Sequence, residues 1–349
     1  MSRKYYRVVA LPGEGIGPEV LSAAIKVLLS LAELHNFTVQ VDYGLIGEPA
    51  KKQLGRFFPS ETAQLCAGSD GIVFGAVARG GLLEIRKHFD FFANLRPVQM
   101  SSHLLDQSSL RSDRVMDLDL LFVRELVSGI YFGPGDRTED EQGAYGYHTM
   151  RYHDWEIRRI ARVALQQAQS RRGLVTVAHK ENALPHLPWS RLVQEEAVHF
   201  PDVKVEPMLV DNLAMQLVRE PKRFDVILAG NLFGDILSDI AGALVGSIGL
   251  LASASLNADG LGLYEAIHGT APDIAGKGIA NPLGMIGAIA LMLAQWGEHR
   301  AVETLQKAQE AVLAQGYRTA DLCDRDASEA WVSTEELTEL LIQNLRSGV

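Results

Sequence analysis

Cysteine is scarce in this chain, which has 349 residues and only two thiols, Cys66 and Cys323. Two cysteines are too few for a disulfide framework or a zinc cluster, and their scarcity fits a reducing compartment. Positive charge is also in the minority, since 33 lysines and arginines face 43 acidic residues for a net charge of −10. The sequence therefore excludes a basic footprint for nucleic acid or for an anionic membrane surface.

Long apolar runs are lacking as well. The two most apolar stretches, 241–256 and 282–296, are interrupted by glycine or serine and fall short of a bilayer span. Only a few apolar residues precede Pro12 and Gly13, which is too short a run for a signal peptide. We expect a cytoplasmic protein, and the length allows one large or two medium domains with an ample core.

A dinucleotide fingerprint is absent too, although the first elements invite one. Residues 7–11 predict a buried strand, and a glycine turn leads into an apolar-periodic helix from Glu19 to about Leu31. The turn reads G-x-G-x-G-P, and Pro18 stands where the fingerprint requires a variable helical residue. This spacing excludes a Rossmann site and indicates a helix N-terminus near a polar ligand.

What is present is an alternation of apolar strands with amphipathic helices. The predicted elements are strands at 39–43, 71–75, 174–177, 203–208 and 225–228 and helices at 61–67, 155–172, 283–295, 302–315 and 334–345. This rhythm favours an α/β fold with mostly parallel sheets. The polar, glycine-rich and aromatic stretch 136–152 predicts an exposed hairpin or arm. The glycine- and serine-rich stretch 242–263 predicts a crossing between domains, and 264–282 predicts a long loop.

Two carboxylates, Asp235 and Asp239, lie four positions apart in the motif NLFGDILSD and would share one side of a helix. Like charges at this spacing repel by about 0.2–0.5 kcal/mol on an exposed helix. A hard divalent cation bound by carboxylate oxygens would offset that repulsion. A solvated acidic face is the alternative interpretation.

Three arginines form a second candidate group. Arg86 follows the apolar pair Leu82 and Leu83, Arg96 precedes a proline, and Arg124 lies inside a strand-like apolar run. Guanidinium groups bind carboxylates bidentately, so converging arginines suit a di- or tricarboxylate substrate. For Arg86 and Arg96 taken singly, solvated surface arginines are at least as good an interpretation.

Further candidates lie in predicted turns and loops, where binding residues usually sit. Tyr131 stands between two glycines that would let its hydroxyl approach a ligand, although a structural tyrosine is the default interpretation. Lys180 follows a predicted strand, and Asp211 opens a predicted helix. The loop 264–282 carries a histidine, several fixed turns and a carboxylate.

Taken together, these motifs resemble the β-decarboxylating dehydrogenases, and most closely the isopropylmalate branch of the isocitrate/isopropylmalate dehydrogenase family. The resemblance runs from about Arg7 to the last predicted helix and is carried, in chain order, by GEGIGPEV, GLLEIRK, FANLRP, VREL, GIYFG, VDNLAMQL, NLFGDILSD and HGTAPDIAGKGIANP. It implies a two-domain α/β fold that is not a Rossmann fold. Residues 1–98 plus 246–349 would form a cofactor-binding domain. Residues 99–245 would form an inserted dimerisation and metal/substrate domain with an arm at about 133–152.

The resemblance also implies a role for each candidate residue. The malate substrate would contact Leu82, Leu83, Arg86, Arg96, Arg124 and Asp211. The metal, Mg²⁺ or Mn²⁺, would bind Asp211, Asp235 and Asp239. Proton transfers would involve Tyr131 and Lys180. The cofactor NAD would contact Glu265, His268, Gly269, Ala271, Asp273, Ile274 and Asn281. Asp211 and Lys180 would reach in from the partner subunit of a homodimer with shared active sites.

The implied reaction is the NAD-dependent oxidative decarboxylation of a 3-substituted malate. The leading substrate is (2R,3S)-3-isopropylmalate, which would give 4-methyl-2-oxopentanoate in leucine biosynthesis. Asp273 can accept hydrogen bonds from both ribose hydroxyls and would repel a 2′-phosphate, which favours NAD over NADP. The apolar pair Leu82 and Leu83 favours an alkyl or aryl substituent, since each buried methylene contributes about 0.8 kcal/mol.

Five positions depart from the isopropylmalate pattern. The usual residues there are aspartate, glutamate, proline, aspartate and valine, and this chain has Glu14, Arg79, Ala266, His179 and Ala183. The change to Ala183 widens the alkyl pocket, so a bulkier substrate such as 3-benzylmalate is an alternative to neutral drift. A non-catalytic regulatory paralogue is a remote alternative, because every predicted metal-binding and proton-transferring residue is present.

Overall fold

Strands and helices alternate along the computed structural model, which describes residues 4–323 and 331–348. The strands in these ranges are β1 (Tyr5–Gly13), β2 (Thr38–Tyr43), β3 (Gly71–Ala76), β4 (Ala93–Gln99), β5 (Asp119–Glu125), β6 (Gly135–Asp140), β7 (Gly143–His148), β8 (Leu174–His179), β9 (Lys204–Leu209), β10 (Val226–Ala229), β11 (Ala252–Leu256) and β12 (Gly262–Ala266). The helices are α1 (Gly17–Leu34), α2 (Glu48–Leu54), α3 (Ser60–Ala67), α4 (Leu82–His88), α5 (Ser112–Val115), α6 (Asp154–Gln169), α7 (Trp189–Ala197), α8 (Val210–Arg219), α9 (Asn231–Leu244), α10 (Leu283–Gln295), α11 (His299–Ala314) and α12 (Thr334–Ser347). Among the described residues, no helix combines the length and apolarity that a membrane span requires.

Ten of these strands form one sheet in the order β2-β1-β3-β12-β11-β4-β5-β10-β8-β9. Neighbours are parallel except at the centre, where β12–β11, β11–β4 and β4–β5 are antiparallel. The predicted α/β class with mostly parallel strands is therefore confirmed. Strands from 99–245 occupy one end of the sheet, beginning with β5, so the predicted domain boundary falls near the β4–β5 pair. The division into two domains stays a prediction.

The central antiparallel strands are the part of the sheet that sequence patterns missed. The stretch 242–263 was predicted only as a crossing between domains, and the omission of strands there is wrong, because β11 and the first two residues of β12 lie within it. The expectation that Glu265 lies in a loop is also wrong, since it belongs to β12. The physical reason is that β11 alternates alanine with Ser253 and Ser255, which resemble loop residues in composition. Both serines are completely buried and hydrogen-bonded.

Alternate residues of the strands pack on opposite faces of the sheet, as strand geometry requires. On β5, Phe122 belongs to the core cluster that includes residues of helices α9 and α10, whereas Val123 belongs to the cluster that includes residues of helices α6 and α7. On β1, Val8 belongs to the core cluster that includes residues of helices α1 and α10, whereas Val9 belongs to the cluster that includes residues of helices α3 and α4. Helices therefore cover both faces, and functional side chains emerge where strands end.

The predicted exposed hairpin is confirmed by the two-stranded sheet of β6 and β7. All twelve residues of these strands are exposed, including Tyr145 and Tyr147. The strands pair from Gly135 opposite His148 to Asp140 opposite Gly143. An isolated two-stranded ribbon is marginally stable in water. The hairpin therefore presents backbone and aromatic surface that would gain stability from a covering partner.

Candidate active site

A cavity of about 320 Å³ lies where β3, β4 and β5 meet helices α4 and α9 and the loop after β12. Nine of the predicted site residues line it, namely Leu82, Leu83, Arg86, Arg96, Arg124, Tyr131, Asp235, Glu265 and Gly269. These residues come from six separate segments of the chain. The structure therefore brings together the predicted arginines, the predicted tyrosine and one predicted metal ligand.

Two buried arginines lie beneath the carboxylates of α9. Arg124 is 2% exposed and donates a hydrogen bond to Asp235. Arg96 Nη1 lies 3.4 Å from Asp235 Oδ1 and 3.6 Å from Asp239 Oδ1. Asp235 and Asp239 share one side of α9, as predicted. Their mutual repulsion is offset within the protein by guanidinium groups, so the pair is not merely a solvated acidic face.

Arg86 makes a different contact. Its Nη2 donates to Glu265 Oε1 at 2.7 Å, and both side chains are 7% exposed. The Nε of Arg86 is buried and has no hydrogen-bond partner. A buried donor left without an acceptor costs roughly 1–3 kcal/mol. Because Arg86 lines the cavity, this donor marks a place where an acceptor on a ligand would be stabilising.

Burial and neighbouring charges shift the pKa values of Arg124, Asp235 and Asp239. Burial lowers the pKa of Arg124 to about 9, assisted by the positive charge of Arg96, and the guanidinium remains charged at neutral pH. Burial opposes ionisation of Asp235, yet Arg124 and Arg96 hold its pKa below the usual range. Burial raises the pKa of Asp239, and the charge of Asp235 acts in the same direction. The two carboxylates thus occupy unequal environments.

Tyr131 lies at the cavity because the chain makes a tight turn before it. Gly129 has φ +79°, and a Cβ there would lie 2.2 Å from Tyr152 Oη, so only glycine fits. Tyr131 Oη donates to Asp235 Oδ2 at 3.1 Å. Burial, together with the negative charge of Asp235, raises the pKa of Tyr131. The hydroxyl therefore keeps its proton at neutral pH and lies next to the acidic face.

Lys180 and Asp211 lie outside the cavity. Lys180 Nζ donates to Asp211 Oδ1 at 2.7 Å, and the Asp211 side chain is 63% exposed. No group of three or more histidine, cysteine, aspartate or glutamate residues in the described parts of the chain could hold a metal ion. Within one chain, Asp211 therefore does not join Asp235 and Asp239. The predicted contribution from a partner subunit stays a prediction.

The predicted cofactor loop begins after β12 and ends before α10. Gly269, Gly276 and Gly278 all have positive φ with open space where a Cβ would project. Burial lowers the pKa of His268, which is therefore neutral at pH 7, and its Nε2 is buried without a partner. Asp273 is exposed. An open loop with an unpartnered imidazole nitrogen fits a hydrogen-bonding ligand.

Both ends of this loop are fixed to the rest of the fold. The Ile16 N–H donates to the Thr270 carbonyl at 2.9 Å, and a Cβ on Gly15 would lie 2.1 Å from that oxygen. The glycine turn before α1 therefore packs against the predicted cofactor loop. That a polar ligand lies near this turn stays a prediction. At the other end, Asn281 Nδ2 donates to Asp321 Oδ2 at 3.0 Å, and Asn281 Oδ1 accepts from Leu283 N at 3.0 Å.

The remaining predicted and divergent residues surround these groups. Ala271 has φ +38°, and Ile274 is half-buried against the core. Glu14 Oε1 accepts from the N–H groups of Ala78 at 3.2 Å and Glu48 at 3.4 Å, which ties together the loops that precede α4 and α2. Three other divergent residues lie elsewhere. Arg79 is exposed in the loop before α4, His179 directly precedes Lys180, and Ala183 follows it by three positions. Ala266 lines the cavity.

Sequence reasoning missed the asparagines that hold the arginines. Arg96 Nε donates to Asn94 Oδ1 at 2.9 Å, and Arg124 Nη2 donates to Asn231 Oδ1 at 2.8 Å. Both asparagines are completely buried. The available signal was an asparagine two positions before Arg96 in a stretch that is otherwise apolar. A second signal was an asparagine that opens the acidic helix directly after a strand.

Comparison with known proteins agrees with this geometry. The model of the isocitrate/isopropylmalate dehydrogenase family matches residues 7–341. A 3-isopropylmalate dehydrogenase of Halalkalibacterium halodurans is 45% identical over 98% of this chain and 98% of its own length. A 3-isopropylmalate dehydrogenase of Aquifex aeolicus is 42% identical with the same two coverages. The crystal structure of isocitrate dehydrogenase from Methylococcus capsulatus matches with a TM-score of 0.88 at 32% identity, covering 98% of this chain and 99% of that one.

The fold, the cavity and these relatives define an α/β oxidoreductase, and the chain belongs to the isocitrate/isopropylmalate dehydrogenase family. It is an enzyme of the β-decarboxylating dehydrogenase class that acts on a small-molecule substrate. The predicted family and the predicted enzyme class are therefore confirmed.

Proposed function

We propose that the chain catalyses the NAD-dependent oxidative decarboxylation of a 3-substituted malate, with 3-isopropylmalate as the leading substrate. The observation that carries this proposal is the cavity itself, in which buried Arg86, Arg96 and Arg124 lie beside apolar Leu82 and Leu83. Arginines match the two carboxylates of a malate, and leucines match its alkyl substituent. The names of relatives that are 45% and 42% identical support the same substrate and leucine biosynthesis as its setting.

The carboxylates of α9 fit Mg²⁺ or Mn²⁺. Asp235 and Asp239 offer hard oxygen ligands on one side of a helix, and Asp211 of a second subunit would complete the set. When bound, the cation would polarise the substrate hydroxyl and the ketone that replaces it, and NAD would accept the hydride. A substrate dianion that arrives with a divalent cation would leave the net charge of this buried site unchanged.

The loop after β12 fits NAD. His268 Nε2 offers an unpartnered polar atom, and the glycines leave room for a flat ligand to approach the backbone. The exposed carboxylate of Asp273 can accept from ribose hydroxyls and would repel a 2′-phosphate. This combination supports NAD rather than NADP.

The protein side chains would then bind the substrate, orient it and protonate its C3 atom. The substrate loses a hydride from C2 and a proton from its hydroxyl, then releases CO₂ and gains one proton at C3. Arg86, Arg96 and Arg124 would hold the carboxylates throughout. Tyr131 retains its proton at neutral pH and would supply it to carbon, with Lys180 of the second subunit assisting.

We further propose a homodimer whose subunits share active sites. Lys180 and Asp211 lie outside the cavity of their own chain, and the exposed β6–β7 hairpin lacks a covering layer. A second copy would supply both needs, since a twofold interface presents the same patches on each subunit.

The direct test follows NADH absorbance with Mg²⁺ and a panel of 3-substituted malates. We expect turnover with 3-isopropylmalate, loss of turnover when the metal is chelated, and much weaker activity with NADP. A correctly folded protein that reduces NAD with none of these malates would contradict the proposal and favour a regulatory paralogue.

A bulkier substrate is the second candidate. Ala183 lies beside Lys180, and Leu83 is 43% exposed at the cavity, which leaves apolar surface available to a larger substituent. The ratio of kcat/KM for 3-benzylmalate to that for 3-isopropylmalate decides between them. A strong preference for 3-isopropylmalate would reject the bulkier substrate.

A further inference from the structure

We propose that Asn94 and Asn231 are positioning residues that fix Arg96 and Arg124 through neutral acceptors, so that both guanidinium groups keep their positive charge for the substrate. The inference rests on the proposed function for the identity of that substrate, a malate dianion. Its own basis is the set of contacts that surround the two arginines.

Arg96 is oriented from two sides on β4. Its Nε donates to Asn94 Oδ1 at 2.9 Å, and its Nη1 donates to Ser238 Oγ at 2.6 Å. Asn94 and Ser238 are both 0% exposed, so neither contact competes with water. Since guanidinium can only donate, the asparagine must present its carbonyl oxygen to Arg96.

The other end of Asn94 explains why that carbonyl stays in place. Asn94 Nδ2 lies 2.7 Å from Ser253 Oγ, 3.3 Å from the Ala254 carbonyl and 3.2 Å from Ser255 Oγ. All three acceptors belong to β11, the strand next to β4. A buried, fully satisfied polar network of this kind is rigid. The small serines of β11 are therefore what holds the asparagine, and through it Arg96, in one orientation.

Arg124 is held in the same way by Asn231, the first residue of α9. Its Nε and Nη2 donate to Asn231 Oδ1 at 3.2 and 2.8 Å, which fixes the plane of the guanidinium group. Asn231 Nδ2 donates to the Ser128 carbonyl at 3.0 Å, and the Asn231 N–H donates to Tyr152 Oη at 2.8 Å. Arg124 Nη1 remains for Asp235 and for the cavity.

The third arginine provides the contrast inside the same cavity. Arg86 pairs with Glu265 at 2.7 Å, and Glu265 is as buried as the arginine itself. The carboxylate partners of Arg124 and Arg96 are instead Asp235 and Asp239, whose charges the proposed divalent cation would take up. A carboxylate at position 94 or 231 would likewise pair with Arg96 or Arg124 in a medium where Coulomb attraction is strong. A neutral amide supplies the same geometry without that pairing, which leaves attraction for an incoming anion.

The test replaces each amide by the matching acid and by alanine, in Asn94→Asp, Asn231→Asp and Asn94→Ala. Binding of 3-isopropylmalate and of sulfate to the protein without NAD is measured by calorimetry. Steady-state kinetics then separate the KM for malate from the KM for NAD, and a thermal melt reports folding. Asn257→Asp is the matched control, because Asn257 lies in the β11–β12 turn, where its Oδ1 accepts from the backbone N–H groups of Asp259 at 3.0 Å and Leu261 at 2.9 Å and its Nδ2 donates to the Phe89 carbonyl at 3.1 Å.

We expect each aspartate variant to weaken binding of both dianions at least tenfold, about 1.4 kcal/mol, while the KM for NAD changes less than twofold. Asn94→Ala keeps the charge of Arg96 but releases its orientation, so we expect a smaller loss of about threefold. The control should bind both dianions as the unaltered protein does. Folded aspartate variants that bind dianions normally would overturn the inference. Should they fail to fold, normal binding by folded Asn94→Ala would also overturn it.

The sulfate measurement separates this inference from the proposed function. If the unaltered protein binds sulfate but oxidises no 3-substituted malate, the proposed function fails, and the sulfate affinities of the variants still decide the role of the asparagines. If the unaltered protein binds neither dianion, the arginines are not an anion site and both proposals fail.

Discussion

The roles of individual residues at the site depend on their buried hydrogen-bond partners as well as on their residue type. Arg124 was recognisable in the sequence because it lies inside an apolar run, and Arg96 because it directly precedes a proline, and both line the cavity. Asn94 lies two positions before Arg96 on the same strand, so the sequence offered that partner, but Asn231 lies 107 positions from Arg124, and only the fold brings those two together. Residue identity therefore predicted the charges, whereas the acceptor that orients Arg124 required the fold.

Tyr131→Phe tests the proposed proton donor. The variant loses the hydroxyl that donates to Asp235 Oδ2 but keeps the ring, so folding should be unchanged. General acid catalysis contributes roughly 10²–10⁴-fold, and we expect kcat to fall within that range. In a single turnover, NADH should still form, because hydride transfer precedes protonation of carbon.

The control is Tyr43→Phe on the edge strand β2, which is 62% exposed and should keep full activity. A Tyr131→Phe enzyme whose kcat falls less than about threefold would remove Tyr131 from the role of acid.

The buried carboxyl group of Glu125 should make the stability of the protein depend on pH. It is completely buried, it accepts from the N–H groups of Val127 and Ser128, and burial raises its pKa to about 7. The folded protein thus holds this proton more tightly than the unfolded chain does, where the pKa is about 4.3. Its stabilising contribution is complete below the unfolded value and is lost as the pH rises through 7.

Glu125→Gln should therefore make the free energy of unfolding less dependent on pH. We expect the loss of stability between pH 5 and pH 8 to shrink by about 2–3 kcal/mol, measured by urea unfolding. The glutamine accepts with one oxygen instead of two, so a loss of roughly 1 kcal/mol is expected at pH 5. Glu33→Gln on the exposed side of α1 is the control, and an unchanged pH dependence in Glu125→Gln would contradict the expectation.

Whole elements were predictable where their pattern was apolar and periodic. The parallel strands β1, β3, β8 and β10 are short apolar runs between helices, and the sequence indicated each of them. The antiparallel strands β4, β11 and β12 were not recognised, because β4 carries a buried asparagine, β11 carries two buried serines, and the short β12 begins with a glycine and contains a glutamate. Arg96, one of the three arginines proposed to bind the substrate, thus lies on a strand whose polar residues obscure its strand character.

The close packing of helix α9 against Arg124 should affect catalysis. Gly234 lies one residue before Asp235, and a Cβ there would lie 2.8 Å from Arg124 Cγ and 2.9 Å from Arg124 Cβ. Gly234→Ala should therefore displace Arg124 and lower kcat/KM by roughly tenfold, about 1.4 kcal/mol. Steady-state kinetics with 3-isopropylmalate measure the effect.

Gly242→Ala on the same helix is the matched control. Its new Cβ would lie 3.0 Å from Leu251 Cδ1, which perturbs apolar packing away from Arg124. We expect a lower melting temperature with kcat/KM within about twofold of the unaltered enzyme. Equal losses of kcat/KM in both variants would show that general damage to α9, and not Arg124, is responsible.

The whole molecule raises the question of how Lys180 and Asp211 reach the cavity. Family resemblance predicted that they act across a dimer, and the single chain leaves them paired with each other outside the cavity. Sequence patterns describe one chain at a time, so geometry between subunits lies beyond what residue spacing can establish. The prediction of a shared site is therefore tested best by mixing subunits.

Lys180→Ala and Asp235→Asn should each abolish activity as homodimers. If Lys180 serves the partner's cavity, a mixed dimer has one site with both defects and one intact site. Random mixing of twofold dimers should therefore restore about a quarter of the original activity. Recovery is measured after the two variants are unfolded and refolded together, with each variant refolded alone as the control. Absence of recovery in verified mixed dimers would show that Lys180 acts in its own chain.

The antiparallel centre of the sheet also governs when the enzyme can first become functional during synthesis. Leu95 on β4 pairs with Ala254 on β11, which closes a loop of about 160 residues, and the entropy cost of closing so long a loop makes this pairing form late in folding. The bonds from Asn94 to β11 cannot form until that distant strand has left the ribosome. A nascent chain that has already released α9 and its two aspartates consequently still lacks the oriented Arg96, so binding competence arrives only in the last third of translation.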